Sequence, residues 1–239
     1  MSSKKISEAV ILAGGEGTRL RPYTVVLPKP LVPLGDRPIL QILLSQLKEA
    51  GIEKITMSVG YLAELLQAYF GDGKALGLEI EYSIERKPLG TVGPLRLVKS
   101  LPEDFLMLNG DIFTDLDFAA LSDFHLSRNS LLTIACYRKR VKVDLGVIDI
   151  GDGAKVKGYH EKPEFNYPVS MGVYALKREI IELVPDDEYL DFPHLVEKML
   201  SLGKEISVLE HEGEWYDLGN AMDHQSAQES PLFGRIQKK

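Results

Sequence analysis

The residues with the clearest chemical potential form a glycine-rich segment near the start of the chain. It carries three glycines, a threonine and two arginines, in the order Leu12-Ala13-Gly14-Gly15-Glu16-Gly17-Thr18-Arg19-Leu20-Arg21-Pro22. Glycines allow backbone N–H groups to approach phosphate oxygens closely, and they adopt positive φ angles where a tight loop requires them. An arginine guanidinium adds paired, charge-assisted hydrogen bonds to a polyphosphate. The segment therefore predicts a loop that binds the phosphates of a nucleotide.

A lysine between two prolines follows ten residues after Arg19. Because proline rings restrict the backbone, Pro28 and Pro30 should hold the ammonium group of Lys29 within a narrow range of positions. The loop lacks the Gly-Lys-Ser/Thr ending of a Walker A loop and the third glycine of a dinucleotide fingerprint. The glycines alone leave two interpretations open: a phosphate site of another type, or a tight strand-to-helix turn with arginines on the surface.

Two later segments carry further groups that suit a nucleotide. Gly90 and Gly93 bracket a predicted helix start, where free N–H groups and the hydroxyl of Thr91 can face a ligand. Asp111 closely follows the apolar run 105–108 and places a carboxylate at the end of a buried strand. Mg²⁺ favours one or two carboxylates together with phosphate oxygens and water. A lone aspartate is more often a turn or cap residue, so a metal site needs a second ligand.

The apolar pattern predicts a regular alternation of strands and helices that could position these groups. Strands are expected at 9–12, 55–59, 78–84 and 105–108, and helices at 38–51, 62–70 and 91–100. Alternation of this kind is typical of a parallel sheet with helices on both faces. Such sheets bind ligands in loops at the carboxyl ends of their strands, where the glycine-rich segment and Asp111 both fall.

Beyond Asp111 the pattern becomes richer in strands. We expect strands at 131–137, 145–150, 155–160, 170–176 and 205–209, and helices at 116–127, 178–184, 192–202 and 221–229, with Asp191 as the cap of the helix at 192. No linker, low-complexity tract or internal repeat is visible. The sequence thus predicts one α/β domain over residues 1–239, with a Rossmann-like, mixed and mostly parallel sheet and helices on both faces. Its nucleotide-binding half is expected at about 1–111, and a half that completes the pocket at about 112–239.

Composition argues against several classes of partner. Charged residues make up 26% of the 239 residues, and a net charge of −7 opposes general affinity for nucleic acid or anionic lipid, although a pocket can still be locally basic. The apolar run at 9–13 is too short for a signal peptide or a membrane span, so the cytoplasm is the expected location. Cys136 is expected to be a packed thiol, and the five scattered histidines show no metal-ligand spacing.

The stretch from Gly14 to Pro22, followed by Pro28-Lys29-Pro30-Leu31, resembles the signature of the sugar-1-phosphate nucleotidyltransferases, and the resemblance extends over almost the whole chain. It implies the nucleotide-diphospho-sugar transferase fold and a reaction in which a sugar 1-phosphate attacks the α-phosphorus of a nucleoside triphosphate and pyrophosphate leaves. The implied catalytic residues are Arg19, Lys29 and Asp111. The implied nucleotide contacts are Leu12, Ala13, Gly14, Gly15, Gly17, Thr18, Glu85, Gly90 and Thr91.

The resemblance also implies a metal site and a sugar-phosphate site. It makes Asp111 the first Mg²⁺ ligand and Asp217, which lies 106 positions later, the second. The sugar-phosphate contacts that it implies are Gly146, Glu161, Lys162 and Ser170, with Lys162 on the attacking phosphate and Glu161 on the sugar hydroxyls. Ser170 stands where most relatives carry Asn, and Leu145 stands where Tyr is common. Because both positions lie near the sugar, its identity stays open.

The base is a second open question. Glu85 occupies the place where several relatives carry a base-reading Gln or Glu, and a carboxylate can accept the adjacent N1–H and N2–H₂ donors of guanine. The segment 89–95 is also closer to the form found in guanylyltransferases, and the pattern as a whole most resembles those that act on mannose 1-phosphate or heptose 1-phosphate. Some relatives that resemble uridylyltransferases carry Glu there too. Uridylyl or thymidylyl transfer to another sugar phosphate therefore stays an alternative, as does a non-catalytic nucleotide-sugar sensor.

Relatives often continue into a left-handed β-helix built on hexapeptide repeats. No hexapeptide period follows Asp217, so acetyltransferase activity or trimerisation through such a domain is not expected. A homo-oligomer of another kind stays an open expectation.

Overall fold

The computed structural model describes residues 5–237. Its strands are β1 (Glu8–Ala13), β2 (Pro33–Leu34), β3 (Arg37–Pro38), β4 (Lys54–Val59), β5 (Glu79–Ile84), β6 (Asp104–Asn109), β7 (Ile112–Thr114), β8 (Leu132–Lys142), β9 (Val147–Gly151), β10 (Lys155–His160), β11 (Glu164–Lys177), β12 (Ile206–His211) and β13 (Trp215–Asp217). Its α-helices are α1 (Ile39–Glu49), α2 (Ala63–Phe70), α3 (Phe118–Arg128), α4 (Phe192–Ser201), α5 (Ala221–Gln228) and α6 (Pro231–Ile236). None of the helices within residues 5–237 has the length and apolar character needed to cross a membrane.

The central sheet has seven strands in the order β12-β8-β11-β6-β1-β4-β5. β1 pairs in parallel with β4 and β6, β4 with β5, and β12 with β8, whereas β11 runs antiparallel to β6 and β8. The predicted Rossmann-like, mixed and mostly parallel sheet is confirmed. Because β1, β4, β5 and β6 run in the same direction, their carboxyl ends meet at one edge of the sheet.

The strand β6 shows how the sheet divides the core. Successive strand residues point to opposite faces. Leu106 and Leu108 join a buried cluster that includes side chains of α1, α2 and α3, while Phe105 and Met107 join a second cluster with side chains of α4. Both faces are therefore covered by helices, as predicted, and the loops at the carboxyl edge rest on a rigid layer.

The predicted helix at 91–100 is wrong. The segment forms a single 3₁₀ helix at Gly93–Leu97, and N–H groups at its start are bound by another part of the chain. The N–H groups of Val92 and Gly93 donate to the carbonyl of Leu190 at 2.9 and 3.2 Å. At its other end, Val98 turns to an extended conformation with ψ 119°. The helix predicted at 178–184 is likewise a 3₁₀ helix, over Arg178–Leu183.

The cap of α4 also differs from the prediction. Asp191 precedes the helix as expected, but its carboxylate accepts hydrogen bonds from the N–H and hydroxyl of Thr91 at 3.0 and 3.3 Å and makes no cap bond. The first N–H of the helix, that of Phe192, donates instead to the hydroxyl of Thr91 at 2.7 Å. Thr91 therefore takes over the capping role and ties the helix to the segment after β5.

Strands β8 and β11 extend well beyond their predicted ends. Their outer parts and the hairpin β9–β10 form a projection that we call the arm, residues 138–169. Cross-strand pairing continues along it, as where Val141 faces Phe165. The hairpin strands were predicted, at 145–150 and 155–160, but the outer parts of β8 and β11 were not, because their side chains are mostly exposed and many are charged.

Candidate active site

A cavity of about 680 Å³ lies at the carboxyl ends of β1, β4, β5 and β6. This is the place that parallel sheets offer to ligands. Most of the predicted nucleotide and catalytic residues line it, namely Leu12, Ala13, Gly14, Gly15, Lys29, Glu85, Gly90, Thr91 and Asp111. Parallel sheets bind ligands at the carboxyl ends of their strands, and we call this the strand-end rule. Applied to the predicted strands, it correctly indicated where the cavity lies.

Glu85, directly after β5, lies against the glycine-rich loop. A Cβ atom on Gly14 would come 2.7 Å from Glu85 Oε1, so the carboxylate occupies space that only a glycine leaves open. Oε1 accepts a hydrogen bond from the hydroxyl of Ser58 at 3.2 Å, and Oε2 accepts one from the N–H of Leu89 at 3.3 Å. Burial raises the pKa of Glu85, and these two hydrogen bonds oppose the rise. The carboxylate is therefore a fixed acceptor in the cavity wall.

Gly17 brings the far end of the glycine-rich loop onto Lys29. Its φ is +61°, and a Cβ there would lie 2.9 Å from Thr24 Cγ2 and 3.0 Å from Lys29 Cβ. The Thr24 hydroxyl donates to the carbonyl of Gly17 at 2.8 Å and fixes the turn. Gly17, Thr18 and Arg19, all described residues, are not among those that line the cavity. The guanidinium of Arg19 lies on the side of Asp217, against Gly219.

Lys29 stands between the two predicted metal ligands. Its ammonium group is in direct hydrogen-bond contact with a carboxylate oxygen of Asp111 and lies 3.9 Å from Asp217 Oδ1. Burial and the charge of Asp111 raise the pKa of Asp217, whereas the positive charges of Lys29 and Arg19 act in the opposite direction. Two carboxylates thus converge on one cation.

A short strand pair explains why two aspartates so far apart in sequence meet. β13 pairs antiparallel with β7, and the register sets Asp217 opposite Ile112. The N–H of Leu218 donates to the carbonyl of Asp111 at 3.1 Å. Neither three-residue strand was predicted, since such short segments carry no readable periodicity. The strand pair brings Asp111 and Asp217, the two metal ligands that the resemblance implied, to the same ammonium group.

Asp115 fixes this strand pair from its other end. Its carboxylate accepts hydrogen bonds from the N–H of Glu214 at 2.6 Å and from the Arg235 guanidinium at 2.8 Å, and it lies 3.0 Å from His211 Nε2. Burial alone would raise the pKa of Asp115, but these partners together hold it below its usual value. No pattern in the sequence predicted this role for Asp115.

The aspartate pair fits a magnesium ion. Within residues 5–237 there is no group of three or more His, Cys, Asp or Glu side chains that could hold a metal. Mg²⁺ needs only one or two carboxylates when substrate phosphates and water supply the remaining ligands. Asp111 and Asp217 already face a common cation, and burial, followed by the negative charge of Asp111, raises the pKa of Asp217. The donor set matches Mg²⁺ in kind and number.

The segment after Glu85 lines the cavity in a different way from that predicted. Its backbone N–H groups are not free for a ligand, because that of Thr91 donates to Asp191 and those of Val92 and Gly93 donate to Leu190. Gly90 has a φ of +81°, and a Cβ there would lie 2.6 Å from the carbonyl oxygen of Leu190. The prediction of open N–H donors is therefore wrong. The segment forms a wall that a remote loop holds in place.

Sequence reasoning missed several residues of the cavity wall. Tyr61, just after β4, lines the cavity, and the strand-end rule applied to that strand would have found it. Asn109 at the end of β6 does so as well. Tyr189 and Asp191 come from a loop about a hundred positions after Glu85, and no sequence signal indicates their approach.

The four predicted sugar-phosphate residues lie apart from this cavity wall. Gly146, Glu161, Lys162 and Ser170 are all described, and none is among the residues that line it. Glu161 and Lys162 are exposed at the base of the hairpin β9–β10, where Glu161 accepts a hydrogen bond from the Tyr159 hydroxyl at 3.0 Å. The ring of Tyr159 also packs against Gly146.

Ser170 comes nearest to the cavity, through its neighbours. Its hydroxyl donates to that of Tyr174 at 3.0 Å, next to an irregularity in β11. In that irregularity Gly172 has a φ of +72°, and a Cβ there would lie 2.5 Å from the side-chain nitrogen of Asn109. Since Asn109 lines the cavity, this part of β11 borders it.

Comparison with known proteins agrees with this geometry. The family model described as nucleotidyl transferase matches residues 8–231. The chain belongs to the nucleotidyl transferase family. Among its relatives is a UTP–glucose-1-phosphate uridylyltransferase of Synechocystis, 31% identical over 92% of this chain and 62% of the relative. Another is a mannose-1-phosphate guanylyltransferase of Mycobacterium tuberculosis, 37% identical over 74% of this chain and 51% of the relative.

This nucleotidyl transferase chain thus spans between half and two thirds of the length of those relatives. A solved structure, HddC from Yersinia pseudotuberculosis, matches 94% of this chain and 99% of its own with a TM-score of 0.73 and 27% identity. The same protein complexed with GMP-PN matches with a TM-score of 0.71 and 26% identity. These matches confirm the predicted fold class over nearly the whole chain.

Proposed function

We propose that this protein transfers a nucleotidyl group from a nucleoside triphosphate to a sugar 1-phosphate, giving a nucleoside diphosphate sugar and pyrophosphate. The observation that carries the proposal is the convergence of Lys29, Asp111 and Asp217 beside a cavity walled by the glycine-rich loop. GTP and mannose 1-phosphate, or a related heptose 1-phosphate, are the substrates that we favour. The guanylyltransferase relative and the complex of HddC with GMP-PN support the choice of GTP.

The reaction needs no protein nucleophile, because an oxygen of the sugar phosphate attacks the α-phosphorus directly. A bond forms between these two atoms, the bond from the α-phosphorus to the bridging oxygen breaks, and pyrophosphate carries that electron pair away. Catalysis then rests on alignment and on neutralising charge. Lys29 stabilises charge at the α-phosphoryl group, and Arg19 holds the β- and γ-phosphates. When held by Asp111 and Asp217, Mg²⁺ supplies additional positive charge to the phosphates.

We assign base recognition to Glu85. Its fixed carboxylate can accept both N1–H and N2–H₂ of guanine, and uracil offers no such adjacent pair. The close approach to Gly14 places it in the wall of the same cavity as the phosphate loop. A guanylyl group is therefore the best match to the cavity chemistry.

We assign the sugar phosphate to Gly146, Glu161, Lys162 and Ser170. Lys162 would bind the attacking phosphate, and Glu161 would accept hydrogen bonds from sugar hydroxyls. Since their side chains lie on or beside the arm rather than in the cavity wall, this role requires the arm to meet the substrate from outside the nucleotide cavity.

A second candidate is uridylyl transfer to another sugar phosphate, which the Synechocystis relative supports. One experiment separates the candidates: pyrophosphate release measured with GTP, UTP, dTTP, CTP and ATP against a panel of sugar 1-phosphates. Fast release with GTP and mannose or heptose 1-phosphate supports the proposal, and a preference for UTP replaces it with the second candidate. Binding of GTP and sugar phosphate without any pyrophosphate release would instead indicate a nucleotide-sugar sensor in the cytoplasm.

A further inference from the structure

We propose that Ser58 is a positioning residue that sets the preference for guanine by holding the carboxylate of Glu85. This inference rests on the proposed function. Ser58 lies in β4, in the interior of the sheet, and is fully buried at 0% exposure. A buried hydroxyl is costly unless it is hydrogen-bonded. Its one hydrogen bond to another side chain in the described part of the chain goes to Glu85 Oε1, at 3.2 Å.

The Glu85 side chain is restrained at several points. Its backbone N–H donates to the carbonyl of Val59 at 2.8 Å, and Oε2 accepts from the N–H of Leu89. Oε1 is confined between the Ser58 hydroxyl and Gly14, where a Cβ would come within 2.7 Å. Of these contacts, the hydrogen bond from Ser58 is the one made by another side chain, and together with that from Leu89 it restrains the carboxylate plane.

Guanine recognition depends on the orientation of the carboxylate plane of Glu85. Each oxygen of a carboxylate has two lone-pair sites, and in Glu85 each oxygen uses one on a protein donor. One site on each oxygen is left to accept N1–H and N2–H₂ together. If the plane can turn, one of the two bonds to guanine weakens. Ser58 therefore acts on base choice without touching the base.

The neighbouring strand provides a matched control. Ser83 in β5 is the register partner of Ser58, and it is also buried, at 7% exposure. Within residues 5–237 its hydroxyl has no hydrogen-bond partner. Ser58→Ala and Ser83→Ala thus remove the same group at the same level of the sheet, but only the first removes a contact to Glu85.

The test compares GTP with ITP, whose base keeps N1–H but lacks the N2 amino group. We expect the ratio of kcat/KM for GTP to that for ITP to fall about ten-fold in Ser58→Ala, because a hydrogen bond to a charged group is lost. Ser83→Ala should keep the wild-type ratio, and Ser58→Thr, which retains the hydroxyl, should restore most of it. If Ser58→Ala does not fold, Ser58→Cys serves in its place, since a thiol is a weak donor.

The outcomes separate the two proposals. An unchanged ratio in Ser58→Ala or Ser58→Cys, or an equal fall in Ser83→Ala, overturns the role of Ser58. A wild-type protein that uses GTP and ITP equally well also overturns it, while leaving nucleotidyl transfer intact. A wild-type protein that releases no pyrophosphate from any triphosphate overturns the proposed function itself.

Discussion

The cavity edge of the sheet and the arm differ in how their polar side chains are held. At the cavity, Lys29 is bound by two aspartates, and Glu85 is bound by Ser58 and Leu89. On the arm, Lys162 is exposed at a strained φ of +45°, and apolar side chains such as Ile150 are 78% exposed. A two-stranded hairpin has little stability of its own in water. Nucleotide recognition is therefore built into the core, whereas sugar recognition depends on what the arm contacts.

The largest effect is expected when charged side chains of the cavity, Lys29 and Asp111, are substituted one at a time. We expect Lys29→Ala and Asp111→Asn each to lower turnover by at least about 10²–10³, because fixed charges at the reacting phosphate are lost. Pyrophosphate release under saturating GTP and sugar phosphate measures the effect. Thermal unfolding with Mg²⁺ checks that both variants fold.

Lys87 is the matched control for Lys29. It lines the same cavity, but its ammonium bonds the carboxylate and the carbonyl of Asp187 at 2.7 and 2.8 Å. Lys87→Ala should keep turnover within a few-fold of the wild-type value. Near wild-type activity in Lys29→Ala and Asp111→Asn would contradict the catalytic assignment, and an equal loss in Lys87→Ala would show that the effect is not specific to Lys29.

The cavity was largely predictable from sequence because its signals are local. Gly14, Gly15 and Asp111 each lie within two residues of the end of an apolar strand, and the strand-end rule places such residues together. The reach of Asp191 to Thr91 was not predictable, since it joins two loops a hundred positions apart. The same holds for Asp217, whose position depends on a three-residue strand pair. Contacts between segments that are distant in the sequence produce no periodic pattern of apolar residues.

In the arm, the hairpin strands β9 and β10 were predicted, but the outer parts of β8 and β11 were not. Strand β11 was expected over 170–176, yet it runs over Glu164–Lys177. The added residues are exposed, and they pair with the similarly exposed end of β8. Hydrophobic alternation mainly reports burial of one face, so the charged outer parts of β8 and β11, which bury neither face, gave no such pattern.

An intermediate effect is expected on the arm. Lys162→Ala should raise the KM for the sugar phosphate about ten-fold and leave the KM for GTP within two-fold, because the loss of one charge-assisted phosphate contact weakens only that substrate. Initial rates with each substrate varied in turn give both constants. Lys157→Ala, also exposed on the hairpin, is the control and should change neither. A rise in the KM for GTP alone would indicate that Lys162 contacts the nucleotide. The division of roles between the cavity and the arm would then be wrong.

The smallest expected effect is on the free energy of unfolding, and it arises from burial of the Glu85 carboxyl group. Burial raises its pKa above the usual value near 4.5, so the native state binds the proton more tightly than the unfolded chain does. Its contribution to the free energy of unfolding should therefore decrease as pH rises from about 4.5 through the raised pKa, and stay at that lower level at neutral pH. Because the side chain is partly exposed, solvent screening keeps the change below about 1 kcal/mol.

Glu85→Gln removes this titration and permits a difference measurement. Urea unfolding of both proteins between pH 4 and 7 gives the wild-type stability minus that of the variant. We expect this difference to fall with rising pH, while other carboxylates, such as Asp115 with its lowered pKa, cancel between the two proteins. A difference that rises with pH would mean that the ionised carboxylate stabilises the empty cavity. The ionised carboxylate of Glu85 would then stabilise the fold, as that of Asp115 does. Placing an acceptor for guanine in the cavity wall would in that case not lower the free energy of unfolding.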